Sequence, residues 1–337
     1  MNVKIVNYNE RRDSFIEYHK TGGAGLNYSG FESLVGTFQF AYDGVTDITG
    51  HGGSGKTEFA LEILFYQSEQ FGFRHLLYVP DIGSYKEIRR KLLIKYYRRS
   101  FRGYNNSIQE HEIIAAASWI DHHFLVIEKK DYKKPMTPQM IWEFAAEYRD
   151  ENGSIQSCFI DSWKNLFHPI KEFGREDQYN DYILSFRNEL AESACKHFMT
   201  IAHSIKTERE KQTDSDKSKR RLPDADDIKG GGWLANGKTI ITVDRPNKEY
   251  EDFDVYFSKV KPDTIGVAKS IIGKFGFNWR RSRAYETIRG QMYYAGEAQK
   301  ANVSESNFIE QIKEQPIQST INLDNPFQDE PPLNPPF

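Results

Sequence analysis

Residues 50–57 read GHGGSGKT, an octapeptide in which glycines recur and a lysine is followed by a threonine. Glycines let backbone N–H groups turn toward an anion without Cβ clashes, and a helix that begins near Thr57 would point its positive dipole end at the same place. Lys56 would reach the β- and γ-phosphates of a nucleotide, and the Thr57 hydroxyl would hold Mg²⁺. The pattern therefore predicts a phosphate loop, with these binding residues: Gly50, Gly52, Gly53, Ser54, Gly55, Lys56 and Thr57.

A carboxylate at the end of a neighbouring strand is needed to complete the Mg²⁺ shell beside such a loop. Asp161 is the best candidate, because it follows the apolar residues 158–160, which read as a strand. There it would face the crevice outside the carboxyl ends of the strands, where α/β sheets bind their ligands. We therefore expect Thr57 and Asp161 to hold the metal. The alternative is that Asp161 caps the next helix.

Two further polar residues close predicted strands. Asp81 ends the strand beside the phosphate loop, where its carboxylate would orient or deprotonate an attacking water. It is equally suited to a turn after Pro80. His203 follows the strand predicted at 197–202, where an imidazole could sense the γ-phosphate, although a histidine at a strand end is often structural. The catalytic candidates drawn from the residues alone are therefore Lys56, Asp81, Asp161 and His203.

The spacing of apolar residues predicts the elements that would position these side chains. Strands are expected at 45–49, 73–79, 124–127, 158–161 and 197–202, and helices at 58–64, 85–102, 138–148 and 179–193. Two β-like runs follow at 239–243 and 253–260, and then a hydrophobic stretch at 265–279. Strands that alternate with helices favour a parallel sheet with right-handed crossovers. The predicted fold class is α/β, with a mainly parallel twisted sheet flanked by helices.

Composition sets broad limits. The chain has 337 residues, a net charge of −3 and 38% hydrophobic residues, enough for one large α/β domain or two small ones. No apolar run approaches the roughly 18 residues of a membrane span, and residues 1–4 open no signal-peptide pattern, so we expect a cytoplasmic protein without membrane contact. Cys158 and Cys195 lie in or next to predicted elements and have no metal-ligand spacing, so both should be reduced and packed.

Positive charge is concentrated in two places. The helix predicted at 85–102 holds eight cations against Glu87 alone, and these cations either line a solvated face or contact nucleic acid. The polar stretch 206–227 should be a long mobile loop, of the kind that in compact domains is usually either functional or disordered. Its basic cluster consists of Lys217, Lys219, Arg220 and Arg221.

The domain boundaries follow from composition. Residues 1–30 should be an arm or linker, and residues 31–290 the folded core. Residues 291–337 should form a helical or disordered tail that is acidic and rich in proline. From residue 301 onward the tail carries six acids against one lysine and six of the thirteen prolines, so it cannot bury enough apolar surface to fold alone.

The order of these parts resembles the RecA-like ATPase domain of the DnaB/Twinkle family of hexameric replicative helicases, with the Twinkle-like branch nearer. The likeness runs from about residue 35 to residue 279 through TDITGHGGSGKTEF, YVPD, FIDSWKNL, IAHSIK, DIKGGGWLANGKTIITVDR and FSKVKPDTIG. Only the first segment is specific by itself, and the order and spacing of all six carry the resemblance. It implies that the nucleotide is ATP with Mg²⁺, that Asp161 is the second-motif aspartate, and that His203 is the sensor between ATP and DNA.

The resemblance also implies roles that the pattern alone does not. Asp81 takes the place of the family's catalytic glutamate and is one methylene shorter, a departure that would slow hydrolysis or require an intervening water. Lys259 and Lys261 match a Lys-x-Arg pair that reaches into the neighbouring subunit's site. A lysine at the finger position keeps the charge but loses the bidentate fork, so Arg245 is an alternative finger.

By position, the family's two DNA-binding loops would be residues 164–178 and 206–232. Lysines there would follow phosphates and give salt-sensitive, sequence-tolerant binding to single strands. Because the chain begins close to the ATPase domain, we expect no primase-like N-terminal domain. Replication proteins would be contacted through the tail.

These expectations combine into one prediction with two alternatives. We predict an ATP-driven homo-oligomeric ring, a hexamer, that translocates on single-stranded DNA as a 5′–3′ replicative helicase of a prokaryotic or phage-infected cell, with the polarity inferred from the family alone. The first alternative is a RecA-like recombination mediator or ATP-gated DNA-binding switch that does not unwind. The second is a small-molecule kinase, which is disfavoured because no Arg-rich lid is evident.

Overall fold

The computed structural model describes residues 12–13, 15–16, 19–20, 29–35, 44–103, 106–131, 133–152, 155–191, 195–204, 225–245, 251–261, 273–278, 281 and 283–301. Several predictions lie wholly or mostly outside the described residues. These are the arm at 1–30, the loop at 206–227 with its basic cluster of Lys217, Lys219, Arg220 and Arg221, the hydrophobic stretch at 265–279, and the tail from residue 302 onward.

Six parallel strands form the part of the sheet that carries the candidate site. They are β1 (Gly44–Thr49), β2 (His75–Tyr78), β3 (Phe124–Val126), β4 (Ser157–Asp161), β5 (His197–Ile201) and β6 (Thr239–Asp244). Their order in the sheet is β3-β2-β4-β5-β1-β6. Because all six carboxyl ends meet at one edge, the polar residues that follow different strands are brought together there. The predicted α/β class is confirmed.

Four antiparallel strands extend the sheet beyond β6. They are β7 (Asp252–Lys259), β8 (Phe275–Asn278), β9 (Arg283–Ile288) and β10 (Gln291–Tyr294), added in that order. The sequence predicted neither β9 nor β10. The fold also continues past the boundary placed at residue 290, since β10 pairs with β9 and Ala298 is fully buried.

Helices cover both faces of the sheet. The four that precede β4 in the chain are α1 (Lys56–Phe71), α2 (Tyr85–Tyr97), α3 (Glu110–His123) and α4 (Pro138–Asn152). The later ones are α5 (Ile170–Phe173), α6 (Glu176–Ala191), α7 (Trp233–Asn236) and α8 (Glu297–Lys300). Successive strand residues alternate between faces, so Leu77 packs with α1 to α3 and Leu76 packs with α4 and α6.

Helices α2 and α3 illustrate how the observed helices differ from prediction. Helix α2 ends at Tyr97 instead of Arg102, because Arg98 takes the left-handed conformation (φ 55°) that terminates a helix. Helix α3 was not predicted, although a capping box starts it, in which the Gln109 and Glu112 side chains bond reciprocally to the backbone.

The packing of the two cysteines agrees with prediction, since Cys158 and Cys195 are free thiols and fully buried. Among the described residues, no helix is both long enough and apolar enough to cross a membrane.

A buried ion network ties α1 to α2 and β9. Glu62 Oε1 accepts from Arg283 Nε at 2.8 Å, and Glu62 Oε2 accepts from Lys95 Nζ at 2.9 Å. Lys95 Nζ also lies 3.5 Å from Glu58 Oε2, and Lys91 completes the network by pairing with the other oxygen of Glu58. Glu62, Lys95 and Arg283 are almost completely excluded from solvent. Because each of these three charges has a partner of opposite sign, the network is stable where a single buried charge would not be.

Candidate nucleotide site

The loop between β1 and α1 adopts a shape that only glycine permits at two positions. Gly50 has φ 137°, and a Cβ there would lie 2.0 Å from the carbonyl oxygen of Val243 on β6. Gly55, the N-cap residue of α1, has φ 95°. Both conformations are strained for residues with a side chain. The loop therefore delivers Lys56 and Thr57 as the first two residues of α1, with the helix N-terminus facing the loop.

Lys56 is folded back onto the loop that precedes it. Its Nζ donates to the Gly50 carbonyl at 3.0 Å and to the His51 carbonyl at 2.7 Å. Burial lowers the pKa of Lys56 to about 8, and the nearby carboxylate of Asp161 offsets only part of that effect. The protein thus supplies too little negative charge to stabilise the Lys56 ammonium group fully. A buried cation in this condition is suited to bind an anionic ligand.

Thr57 and Asp161 meet across the sheet. Thr57 Oγ1 donates to Asp161 Oδ2 at 2.6 Å, and Asp161 is 1% exposed. Burial raises the pKa of Asp161 to about 6; the hydrogen bond from Thr57 acts in the opposite direction, and the negative charge of Asp81 adds to the rise. Because the Asp161 carboxylate turns toward Thr57, and the next turn has no side-chain cap, the alternative role as a helix cap is not observed.

Asp81 lies at the centre of a group of donors. It belongs to the short 3₁₀ turn Pro80–Ile82, so it is a turn residue by position, yet its side chain reaches the segments that follow β4 and β5. Ser162 Oγ donates to Asp81 Oδ2 at 2.6 Å, and Asn165 Nδ2 donates to Oδ1. Lys164 Nζ lies 3.6 Å from Oδ2, and His203 Nε2 lies 3.4 Å from it.

The donors around Asp81 determine its charge. Burial alone would raise the pKa of Asp81, but the hydrogen bonds from Ser162 and Asn165 and the positive charge of Lys164 hold it below its ordinary value. The group is therefore ionised at neutral pH. A carboxylate of low pKa is a weak base, so it suits the orientation of a water better than the removal of a proton from it.

His203 faces the same cluster in its neutral form. Burial lowers the pKa of His203, the positive charges of Lys56 and Lys164 lower it further, and Asp81 offsets only part of the shift. A neutral imidazole has one donor and one acceptor nitrogen, so it can respond to a change in a polar group on either side of the ring. The structural reading of His203 is thus weakened, since its side chain contacts a candidate catalytic group.

The residues present fit a magnesium nucleotide. Ser54 Oγ is buried in the loop without a hydrogen-bond partner among the described residues. The hydroxyl of Thr57 and the carboxylate of Asp161 are the oxygen ligands that Mg²⁺ prefers. The loop offers glycine backbone and a buried lysine to phosphates. In the described part of the chain, no three histidine, cysteine, aspartate or glutamate side chains cluster in a way that could hold a metal by themselves.

Lys259 and Lys261, two of the residues suggested as trans fingers, lie away from this cluster. Strand β7 runs antiparallel to β6 and pairs Asp254 with Asp244 near the phosphate loop but Lys259 with Ile240 toward the opposite edge. Asp244 and Ile240 are four residues apart on β6, so the two residue pairs lie about 13 Å apart along the strand. Lys259 Nζ donates to the Ala235 carbonyl at 3.3 Å, and Lys261 is exposed. Arg245 lies at the carboxyl edge but is 6% exposed.

Two features of the site escaped sequence reasoning. The first is the pair Ser162 and Asn165, which donate to Asp81 and which the sequence offers only as part of a resembling segment. Polar residues that directly follow a buried strand at the carboxyl edge are the signal that could have found them.

The second feature that escaped sequence reasoning is the charge of the stretch 85–102, which contains helix α2 and the five residues after it. Six of the eight cations at 85–102 are paired with acids of the same chain, namely Arg89, Arg90, Lys91, Lys95, Arg98 and Arg99. Of their partners only Glu87 is near in sequence, so the excess of charge in this stretch is compensated by residues that the fold brings close. This pairing weakens the reading of α2 as a nucleic-acid-facing helix.

No family model and no curated protein sequence matches the chain, but solved structures do. The ATPase domain of a DnaB-like helicase is similar over 83% of this chain and 99% of that domain, with a TM-score of 0.64 and 14% identity. A DnaB-like replicative helicase that interacts with primase is similar over 83% of this chain and 67% of that one, with a TM-score of 0.60 and 14% identity. A KaiC-like protein from Pyrococcus horikoshii has a TM-score of 0.50 and 11% identity over 80% and 99% of the two chains.

The fold and the site define a P-loop domain of the RecA-like fold. The likeness to the ATPase domains of DnaB-like helicases, predicted from the order of the sequence segments, is confirmed at the level of the fold.

Proposed function

We propose that the chain is an ATP hydrolase that assembles as a ring, a hexamer, and translocates on single-stranded DNA as a 5′–3′ replicative helicase of the cytoplasm. Support comes from the fold shared with the ATPase domains of DnaB-like helicases and from a site whose residues fit Mg²⁺ and ATP. Replication proteins would be further partners, contacted through the tail.

One observation carries the proposal. Asp81, the candidate group for orienting water, is contacted by Lys164 and His203. Lys164 begins the first segment that we expect to contact DNA, and His203 lies three residues before the second. Lys164 keeps 57% of its side chain exposed. A phosphate of a bound strand would compete with Asp81 for the Lys164 ammonium, and this competition would change the position and charge environment of Asp81. DNA binding and ATP hydrolysis would then be coupled through one ion pair.

The residues divide the chemistry among them. Lys56 and the loop backbone would hold the phosphates, and Thr57 and Asp161 would hold the metal. When bound, Mg²⁺ would neutralise the negative charge that develops on the transferred phosphoryl group. Asp81 would orient the attacking water, and His203 would report on the γ-phosphate to the polar loop that follows it.

The position of Lys259 and Lys261 favours action on a neighbouring subunit. Lys259 lies about 13 Å along the sheet from the level of its own phosphate loop, a distance that a lysine side chain does not span toward the same site. Arg245 is the alternative finger, and its burial within its own chain makes it less suited to reach another subunit than the exposed Lys261.

The function is tested by measuring ATP hydrolysis with and without an unstructured single-stranded oligonucleotide, followed by unwinding of a forked duplex with a 5′ tail. We expect stimulation of hydrolysis and unwinding that requires ATP, with Lys56→Ala as the inactive control. Hydrolysis that does not respond to DNA would contradict the translocase and leave a nucleotide enzyme of another class.

A second candidate function is a recombination mediator or ATP-gated switch that binds DNA without unwinding it. The observation that favours it is the short Asp81 side chain held by four neighbouring groups, which is suited to slow hydrolysis. DNA-stimulated hydrolysis without unwinding of any forked duplex would select this function.

Assembly is tested by mixing two inactive variants. Lys261→Ala subunits keep a complete phosphate loop, and Lys56→Ala subunits keep the finger. If Lys261 acts in trans, subunit exchange should restore part of the activity, because some intact sites would adjoin intact fingers. Size measurements must show that both variants assemble. Activity no greater than the sum of the separate variants would move the role to Arg245 or to no finger.

A further inference from the structure

A third basic segment, in addition to the stretches 85–102 and 206–227, lies at the carboxyl edge of the sheet. The loop between β3 and α4 contains Lys129, Lys130, Lys133 and Lys134 within six residues. Strand β3 is parallel to β2, and the Ile127 amide donates to the Leu77 carbonyl at 2.9 Å. The loop therefore emerges on the same side of the sheet as the turn that carries Asp81.

The lysines of this loop are not neutralised by the chain. None of the four pairs with an acid among the described residues, and Lys130, Lys133 and Lys134 are exposed. Asp131, the acid in their midst, is directed to the loop's own backbone, since its Oδ1 accepts from the Lys133 amide at 2.9 Å. Glu128, at the start of the loop, accepts from the Tyr85 amide at 3.1 Å. The loop thus presents cations to solvent, whereas most cations of α2 are paired.

The same loop is joined to the segment that follows β4. The Phe167 amide donates to the Met136 carbonyl at 2.8 Å, so the two segments run side by side. Phe167 leaves half of its surface exposed. Lys164, three residues earlier, bears the ion pair with Asp81. Cations and an exposed aromatic face therefore occur together next to the candidate water-orienting group.

We propose that Lys130, Lys133 and Lys134, together with Phe167, form a binding surface for single-stranded DNA that extends beyond the two loops expected from the resemblance. The lysines would contact phosphates, and the Phe167 ring would stack on a base. This pairing of cations with an aromatic face is the way proteins hold single strands without reading sequence. The inference rests on the proposed function and extends it by naming a further contact, adjacent to Lys164.

The test measures binding of a fluorescein-labelled oligo(dT) by anisotropy at several salt concentrations, with a non-hydrolysable ATP analogue. The variant combines Lys130→Gln, Lys133→Gln and Lys134→Gln. Three lost phosphate contacts should reduce the log–log salt slope by about 2 and weaken binding by about 10²-fold at 0.1 M salt. The control combines Lys274→Gln, Arg289→Gln and Lys300→Gln, three exposed cations near the other end of the sheet, and should leave the slope unchanged.

A second pair of variants tests the aromatic contact without changing charge. Phe167→Leu should weaken binding by about 5-fold or more with an unchanged salt slope, because loss of one base stack costs about 1 kcal/mol or more. Phe167→Tyr keeps the ring and should bind as the unsubstituted protein does. Unfolding midpoints must match, so that loss of binding is not loss of fold.

The outcomes separate the two proposals. If the unsubstituted protein binds oligo(dT), and the loop variant and the control variant show the same salt slope and affinity, this surface is overturned and the proposed function stands. If the unsubstituted protein binds no oligo(dT) at any salt concentration, both are overturned. If the loop triple weakens duplex binding as much as it weakens binding of the single strand, the assignment to single strands is wrong.

Discussion

Helix α1 carries two charged clusters whose environments differ in kind. At its first turn, Lys56 lies near Asp161 of β4, and the charges of both buried groups are incompletely compensated. Burial lowers the pKa of Lys56 to about 8 and raises the pKa of Asp161 to about 6. Both shifts favour the uncharged form. In this cluster the protein holds charges that it does not itself fully stabilise.

Further along the same helix, the buried ion network shows the opposite behaviour. Burial alone would raise the pKa of Glu62, but Arg283 and Lys95 more than offset it, and the net pKa is lowered. Burial would lower the pKa of Arg283, but Glu62 raises it above its ordinary value. Both shifts favour the charged form, so this cluster is complete without a ligand.

The difference separates a site from a structural support. A buried group whose pKa is shifted toward its neutral form carries a charge that the protein does not fully compensate. Here these charges suit an anion beside Lys56 and a cation beside Asp161. Buried groups shifted toward their charged forms have found their partners within the chain. Substitutions should therefore have opposite consequences in the two clusters.

The largest effect on stability is expected in the network. Glu62→Ala should lower the free energy of unfolding by about 3–5 kcal/mol, because Arg283 and Lys95 would remain buried without a carboxylate. Chemical denaturation measures it. Glu69→Ala removes a partly exposed partner of Arg98 and should cost below about 1 kcal/mol. Equal small losses in both variants would remove the distinction between the clusters.

In the site cluster, Lys56→Ala should act on turnover instead. ATP hydrolysis should fall by about 10³-fold or more, because the phosphates lose their main side-chain cation. The free energy of unfolding should stay within about 1 kcal/mol, since a poorly compensated cation is removed. Lys86→Ala, an exposed change on α2, is the matched control. Retention of most DNA-stimulated phosphate release with a normal circular dichroism spectrum would contradict the assigned site.

Asp81→Asn should have an intermediate effect on turnover. If the carboxylate orients water, turnover should fall by about 10²-fold with little change in ATP affinity. Because the pKa of Asp81 is held low, this group should not itself titrate near neutral pH. Asp121→Asn, on the exposed surface of α3, should hydrolyse ATP at the unsubstituted rate. A normal rate for Asp81→Asn would return this residue to a turn role.

Asp161→Asn should stabilise the ligand-free protein while it abolishes hydrolysis. The folded-state pKa of about 6 exceeds the ordinary value of 3.8, so ionisation of Asp161 destabilises the fold as pH rises from about 4 to 6. Asparagine avoids this cost and keeps an oxygen to accept from Thr57. The gain should be about 1–3 kcal/mol at pH 8 and vanish near pH 4. Urea unfolding at the two pH values measures it, and a gain independent of pH would contradict the assigned cause.

The smallest expected effect is a proton taken up with the nucleotide. With a pKa of about 8, Lys56 is half deprotonated at pH 8, and bound phosphates would restore its charge. Binding of ATP at pH 8 should then take up about half a proton per site. Calorimetry in two buffers of different ionisation enthalpy detects it, and Lys56→Ala should abolish it. Equal binding enthalpies in both buffers would place the Lys56 pKa far from 8.

Local sequence patterns determined the phosphate loop, the six parallel strands and the residues that close them. The loop was predictable because its glycine spacing reflects backbone conformations that other residues avoid, as Gly50 and Gly55 show. The position of Asp161 was predictable because a polar residue after a buried strand must emerge at the carboxyl edge. These features depend on neighbours in the chain, so a sequence pattern can report them.

Partners distant in sequence were decided only by the tertiary structure. The cations of the stretch 85–102 looked uncompensated, because Asp121, Glu112 and the acids of α1 lie 13 or more residues away from the cations they pair with. The four groups around Asp81 lie 81 or more residues away from it. Desolvation, which sets the pKa of Lys56 and Asp161, likewise arises from atoms of several strands and helices at once. Charge compensation and burial depend on contributions from the whole fold, so a local stretch of sequence cannot predict them.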